Sequence, residues 1–383
     1  MNPVETLETA KAINPLKDLL KFGQSVWLDY IRRDLMTTGE LKRLIEEDGL
    51  RGMTSNPAIF EKAISDSNLY DDILHSLAGK NLTPIAKFEA LAIRDIQDAA
   101  DGLRAVFDAS KGQDGFVSLE VSPYLARDTQ GTIEEARRLH KAVGRPNVMI
   151  KVPGTTEGLP AFQQLTAEGI NINVTLLFSQ QVYEQIAEAY VAGLEQLAGN
   201  GGDVSKMASV ASFFISRIDS AIDKVVEAKL KTSKDPAEQA ALNSVQGKVA
   251  IANGKLAYQS YLRIFGTDRW KKLAAKGAHT QRVLWASTST KNPAYSDVMY
   301  IEELIGPDTV NTVPPATLDA YRDHGHPRTT LTQNIADAKQ VMDTLPKAGI
   351  SMKEVTDKLT DDGVRLFSEA FDKLLKAIEK NAK

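Results

Sequence analysis

The chain has 383 residues, of which 43% are hydrophobic and 25% charged, and its 46 basic and 50 acidic side chains give a formal net charge of −4. It has no cysteine, which excludes a disulfide framework, zinc-thiolate and iron–sulfur sites and a cysteine nucleophile. The slight acidic excess argues against general nucleic-acid binding, which needs basic charge to displace counterions. The longest uncharged run, Gly169–Tyr183, is interrupted by Asn171, Asn173, Gln180 and Gln181 and is too short and polar to span a bilayer. The start of the chain lacks the basic-then-apolar order of a secretory signal. The expected setting is cytoplasmic, with no membrane and no nucleic acid.

Along the chain, short apolar runs bounded by turn residues alternate with helix-periodic segments. Ser25–Leu28 and Arg51–Met53 are the first runs. Pro84–Ser110 has apolar residues at helical spacing up to Lys111-Gly112, and Phe116–Val121 is the third run. Thr132–Val143 opens with Thr132 and Glu135 at capping-box spacing and stops at Gly144. Val148–Val152 and Ile170–Val174 follow, then a helical Ser179–Leu197 and the run Met207–Phe213. Ala228–Ala257, polar around Lys231-Thr232-Ser233-Lys234-Asp235-Pro236, is expected to be a surface insertion after the sixth strand. Arg282–Ala286 and Thr309–Val313 complete the runs. From Thr330 onward two or three helices are expected, joined at Lys347-Ala348-Gly349. The last, Asp361–Lys380, carries Val364, Leu366, Phe367, Ala370, Phe371, Leu374 and Leu375 on one face, so it should pack on the body of the protein or over its mouth.

Each run is short and apolar or β-branched, as strands covered on both faces are. Eight of them separated by helices predict an α/β fold, a single closed parallel (β/α)8 barrel with an extra N-terminal helix. Residues 1–383 then form one domain, with 228–257 as an insertion and 330–383 as a helical extension. An open doubly wound sheet is the competitor, but it usually has a glycine-rich turn after its first strand, where this chain has Asp29-Tyr30-Ile31-Arg32-Arg33.

Barrels of this kind do their chemistry at the carboxyl ends of the strands. The polar residues ending the runs are Asp29, Asn56, Glu120, Lys151, Thr175, Ser212 and Ser287. A lone strand lysine ordinarily snorkels to water or pairs with a carboxylate, and Asp29 taken alone suits a helix cap. One amine and two carboxylates at three strand ends suit Schiff-base chemistry, because burial supplies the neutral amine that attacks a carbonyl.

Three segments carry a family resemblance. Gly52-Met53-Thr54-Ser55-Asn56-Pro57-Ala58-Ile59-Phe60 resembles the second-strand signature of the transaldolases. Ile150-Lys151-Val152-Pro153-Gly154-Thr155 is similar to their lysine-bearing fourth strand, and Asn171-Ile172-Asn173-Val174-Thr175-Leu176-Leu177-Phe178-Ser179 to their fifth. The matches occur in family order across roughly Lys21–His326, and the chain looks like the longer bacterial type within the class I Schiff-base aldolases. The resemblance implies a transferase of the pentose phosphate pathway without metal or other cofactor. It would move a dihydroxyacetone unit from sedoheptulose 7-phosphate or fructose 6-phosphate to glyceraldehyde 3-phosphate or erythrose 4-phosphate.

Carried over residue by residue, the resemblance implies that Lys151 forms the Schiff base and Asp29 handles the proton of the C4 hydroxyl. Glu120 would shuttle protons through a water held by Thr175. Asn56, Asn173 and Ser212 would hold the three-carbon unit, and Phe214 falls where the family carries an apolar ring, although adjacent aromatics also suit ordinary core. Arg217 and Ser287 match phosphate-binding positions. Many relatives have an arginine two residues past that serine; here Ser289 stands there, and Lys291 is expected to supply the charge. Sugar phosphates are the expected partners, with monomer and homodimer both open. Two other readings compete: an aldolase that releases free dihydroxyacetone, and a silent barrel that only binds sugar phosphates. His324-Gly325-His326, the only histidine cluster, lacks the ligands and spacing of a metal site. The chain has neither a G-x-S-x-G elbow nor a G-x-x-x-x-G-K-[ST] loop.

Overall fold

Parallel neighbours cannot be joined by hairpins, so each strand is followed by a crossover, and its two faces are covered by barrel interior and helix layer. That is the arrangement in the computed structural model, which describes residues 14–78 and 80–381. The strands are β1 (Gln24–Asp29), β2 (Gly52–Thr54), β3 (Phe116–Glu120), β4 (Val148–Pro153), β5 (Ile172–Leu177), β6 (Ser209–Phe214), β7 (Arg282–Ala286) and β8 (Thr309–Val313). They form a closed barrel in sequence order, with β1 and β8 paired in parallel from Gln24↔Thr309 to Leu28↔Val313. All eight expected runs contribute a strand.

Some boundaries differ for local reasons. β5 starts at Ile172 because Gly169, with φ of +82°, and Ile170 close the helix Gly158–Ala167. The Gly169 amide donates to the Thr166 carbonyl at 3.1 Å and the Ile170 amide to the Leu165 carbonyl at 3.1 Å, the two bonds of a Schellman cap. The register of β5 then shifts between Val174 and Leu177, where Leu176 has φ of +63°. The expected helix Pro84–Ser110 breaks into Pro84–Gly102 and Arg104–Ala109 at Leu103, just past Gly102, against which the Leu41 side chain packs.

The expected capping box does not form. The helix starts at Thr129, Asp128 accepts the Gly131 amide at 2.9 Å, and Thr132 donates to the Leu125 carbonyl. Glu135 instead accepts the Ser122 amide at 3.0 Å.

The segment 228–257 is divided: residues 228–248 lie mostly at the surface, and the stretch from Val249 onward is packed into the protein. Its polar stretch covers only the turn between the helices Ser216–Leu230 and Pro236–Val245, and Leu242, Val245, Val249, Ala250 and Ala257 are all buried. Asp219 accepts the Ala250 amide at 2.8 Å, tying the next helix, Val249–Ile264, to the one before.

Among the described residues, the N-terminal helical segment is the short turn Pro15–Asp18, extended by the 3-10 turn Leu19–Phe22. The C-terminal helix runs from Met352 to Asn381, beginning nine residues before the expected Asp361. Phe371, Leu374 and Ile378 are buried, whereas Leu366 is 43% exposed because it lies off that stripe. The helix packs on Pro57–Ser65, Pro84–Gly102 and Ser216–Leu230 and touches β5, so it crosses the mouth at the carboxyl ends of the strands.

Asp114 anchors the opposite end of the barrel. It receives hydrogen bonds from Ser25 (2.7 Å), Trp27 (3.1 Å), Arg51 (2.7 Å) and Arg282 (2.9 Å). Among the described residues, no helix is long and apolar enough to cross a membrane.

Candidate active site

The β3–β4 register sets Glu120 beside Lys151. Lys151 does not snorkel: it is 5% exposed, and its Nζ donates to the Ser55 carbonyl at 3.2 Å. Glu120 Oε2 lies 3.4 Å from that Nζ. Burial pushes the Glu120 carboxyl up to about 6, although the Lys151 charge pulls the other way. Thr175 comes from β5 in register with Pro153. Among the described residues its Oγ1 is buried without a hydrogen-bond partner, and Glu120 Oε2 is buried with only the Lys151 ion pair, an arrangement native interiors rarely leave unsatisfied.

Asp29 ends β1 and accepts a hydrogen bond from Thr54 Oγ1 at 2.7 Å. It is not a helix cap, since the helix that follows starts at Arg33 with Arg32 at its N-cap. Burial raises the Asp29 carboxyl, with Lys151, Thr54 and Arg217 each opposing the rise.

Asp29, Lys151 and Thr175 open onto one cavity of about 670 Å³, together with Asn56, Ser212, Phe214, Arg217, Ser287 and Lys291. Asn56 also caps the helix Pro57–Ser65, its Oδ1 accepting the Ile59 amide at 3.0 Å. Two expected residues lie off the cavity wall. Asn173 is fully buried behind Ser212, accepting its hydroxyl at 2.7 Å and donating to Ser118 Oγ at 3.1 Å. Glu120 lines a smaller adjoining pocket with Phe60, Phe88 and Phe371.

The far end of the cavity is cationic. Arg217, on the first turn of its helix, has no ion-pair partner among the described residues, and its guanidinium carbon is 5.1 Å from the Phe214 ring centroid. Burial lowers its pKa, with Asp29 opposing. Ser287 adopts φ of +55° as the chain leaves β7, and its Oγ is 2.9 Å from Ser216 Oγ. Lys291 donates to Ser289 Oγ at 2.7 Å, and its ammonium is depressed first by burial and then by Arg217 and Lys62.

Among the further residues that line the cavity, beyond those expected from the sequence, are Lys62 and Phe367. Lys62 lines the cavity from the helix that Asn56 caps; Asn56, Ile59 and Lys62 recur at helical spacing, which was the available signal. Phe367 reaches the cavity from the C-terminal helix, with its ring centroid 5.6 Å from Lys151 Nζ. Among the described residues, no group of His, Cys, Asp and Glu side chains is arranged to hold a metal ion.

A buried amine paired with a carboxylate, a second carboxylate across the cavity and a cationic rim, all at strand ends, define a (β/α)8-barrel enzyme. The family pattern described as transaldolase/fructose-6-phosphate aldolase matches residues 26–378, reaching past His326 to include most of the C-terminal helix. Similar proteins include a transaldolase of Trichodesmium erythraeum, 50% identical over 97% of this chain and 98% of its own length. Transaldolase 2 of Nostoc sp. strain PCC 7120 is 50% identical with the same coverage. A transaldolase of Thiobacillus denitrificans is 46% identical over 96% of this chain and all of its own. The chain belongs to the transaldolase/fructose-6-phosphate aldolase family.

Proposed function

We propose that the enzyme is a transaldolase of the pentose phosphate pathway working through a Schiff base on Lys151. The donor is sedoheptulose 7-phosphate or fructose 6-phosphate, and the acceptor glyceraldehyde 3-phosphate or erythrose 4-phosphate. In this reading the Lys151 side chain adds through its nitrogen to the C2 carbonyl of the donor. Glu120, through a water shared with Thr175 Oγ1, delivers and removes the protons that turn the carbinolamine into an iminium with loss of water. Asp29 takes the C4 hydroxyl proton while the C3–C4 bond breaks. The bonding pair moves into the iminium to give an enamine, and the phosphorylated aldehyde departs. An acceptor aldehyde then reacts with the enamine carbon, Asp29 returns the proton, and hydrolysis frees the new ketose.

Asn56 and Ser212 hold hydroxyls of the three-carbon unit, and Asn173 acts from behind by orienting Ser212. Arg217, Ser287, Lys291 and Lys62 receive the phosphate, the guanidinium offering paired donors and the lysines point charges.

The observation that carries this reading is the Lys151 amine, buried 3.4 Å from Glu120 and facing the same cavity as Asp29 and Arg217. The test is borohydride reduction in the presence of fructose 6-phosphate, followed by intact mass and peptide mapping. A reduced three-carbon adduct on Lys151 is expected, and an unmodified protein would sink the Schiff-base mechanism. Lys151→Arg should abolish both adduct and turnover while still binding the sugar phosphate; a silent barrel would have no turnover to lose. Product analysis with and without acceptor separates transfer from release of free dihydroxyacetone. The apolar Phe214 in the cavity favours transfer.

A further inference from the structure

We infer that Phe367, supplied by the C-terminal helix, determines the fate of the three-carbon unit on Lys151 by keeping water from it; this rests on the Schiff-base reading above. The ring lines the reaction cavity with its centroid 5.6 Å from Lys151 Nζ, and Phe214 presents a second apolar ring to the same space. Phe367 is distant in sequence from the strand ends, yet its position is fixed by packing on both sides. One turn before it, Gly363 sits so close to Leu176 that a Cβ there would lie 2.8 Å from the leucine Cδ2. One turn after it, Phe371 meets Phe88 edge-on at 5.6 Å and Tyr124 at 5.5 Å. An Arg127–Asp361 ion pair and a Tyr124–Asp372 hydrogen bond fasten the same stretch to the residues after β3.

An enamine on Lys151 has two fates. It can add to an acceptor aldehyde, or it can take a proton at carbon to become an iminium. In the second case water adds at C2, the carbon–nitrogen bond breaks, and the net change is enamine plus water giving dihydroxyacetone and free Lys151 amine. The second route begins with protonation of the enamine at carbon, and an aromatic ring held beside the amine keeps water other than the one shared by Glu120 and Thr175 from delivering that proton. The family covers both transaldolases and an aldolase, so the partition between these routes is the property that separates their products.

The test measures free dihydroxyacetone released per sedoheptulose 7-phosphate formed, with fructose 6-phosphate as donor and a fixed concentration of erythrose 4-phosphate. Phe367→Ser should raise that ratio by about tenfold or more, by admitting water next to the intermediate. Phe367→Leu should keep it within about threefold of the parent, since an apolar side chain still covers the amine. A loss of folded protein lowers both products together and leaves the ratio unchanged, so the ratio separates this role from a structural one. If Phe367→Ser does not fold, Phe367→Thr is read by the same criterion. Borohydride trapping on Lys151 accompanies each measurement. A trapped adduct with an unchanged ratio in the polar variant overturns the role of Phe367 alone. Absence of an adduct in the parent enzyme overturns the Schiff-base reading and this inference with it.

Discussion

Glu120→Gln tests the electrostatics of the site most directly. Burial raises the Glu120 carboxyl from its ordinary 4.5 to about 6, a rise corresponding to about 2 kcal/mol. The folded protein therefore holds this proton more tightly than the unfolded chain does. Wherever the folded state binds more protons, stability falls as pH rises, so this group costs nothing below pH 4.5 and its full amount above pH 6. Glutamine has the shape of the protonated acid and does not titrate. The stability of the variant minus that of the parent should thus increase by about 2 kcal/mol between pH 4.5 and 7.5. Removing the carboxylate beside Lys151 displaces the whole curve, so the slope is the diagnostic.

Denaturant unfolding followed by tryptophan fluorescence suits the measurement, since Trp27, Trp270 and Trp285 are all buried. A difference that stays flat across that pH range would refute the buried-carboxylate account. In the same preparations, kcat/KM of the parent should fall on the acid side with a midpoint near pH 6. The variant should lack that limb and run about 10²–10⁴-fold slower, the usual worth of a positioned proton-transfer group. Undiminished turnover would leave Glu120 as a counter-ion only.

Arg217→Ala should raise KM for fructose 6-phosphate by about 10–150-fold, the equivalent of about 1.5–3 kcal/mol of charge-assisted hydrogen bonding. Lys62→Ala, at an exposed position, should raise it by about threefold, and that effect should vanish in high salt, where exposed charges are screened. Thr175→Val should slow borohydride-trappable adduct formation while leaving the unfolding free energy within about 0.5 kcal/mol, because Oγ1 has no protein hydrogen bond to lose. Asp114→Ala should cost about 3–5 kcal/mol by stranding Arg51 and Arg282 without their shared carboxylate. Its kcat per folded molecule should be unchanged, because Asp114 lies at the end of the barrel away from the cavity; a matched loss of kcat would show that the two ends are coupled.

The strand pattern and the ionisable residues embedded in it were readable because burial makes them conspicuous. Lys151 and Glu120 each interrupt an apolar run, and a parallel register brought them side by side. What escaped depended on contacts between distant residues or on backbone conformations that residue type does not announce. Thr175 looked like the end of its strand because nothing in Thr175-Leu176-Leu177 signals a left-handed leucine and a continued pairing beyond it. Asn173 has the residue type of a sugar ligand, and only the Ser212 and Ser118 hydrogen bonds reveal that it is buried behind the wall. The polar turn Lys231–Pro236 marks the exposed part of 228–257, while the apolar spacing of Leu242, Val245, Val249 and Ala250 carries the buried part. Lys62 reads as one surface lysine among many until the helix beginning at Pro57 is set against the mouth. Phe367 was legible as apolar, but its closeness to Lys151 arises from a chain return of more than two hundred residues.

Exposure along the cavity is graded: Lys151 is buried, Arg217 partly so, and Lys291 and Lys62 are the more exposed cations of its lining. On the proposed function, with the C-terminal helix laid across the mouth, a ketose would meet the cations before the amine and would travel inward with its carbonyl leading and its phosphate trailing. Admission is thereby sorted by charge ahead of any test of carbonyl reactivity. Neutral sugars arrive without guidance, whereas simple anions can occupy the vestibule without ever touching the nucleophile. Ionic strength would then act as a tariff on entry, falling on substrate capture and leaving the proposed covalent steps behind the gate untaxed.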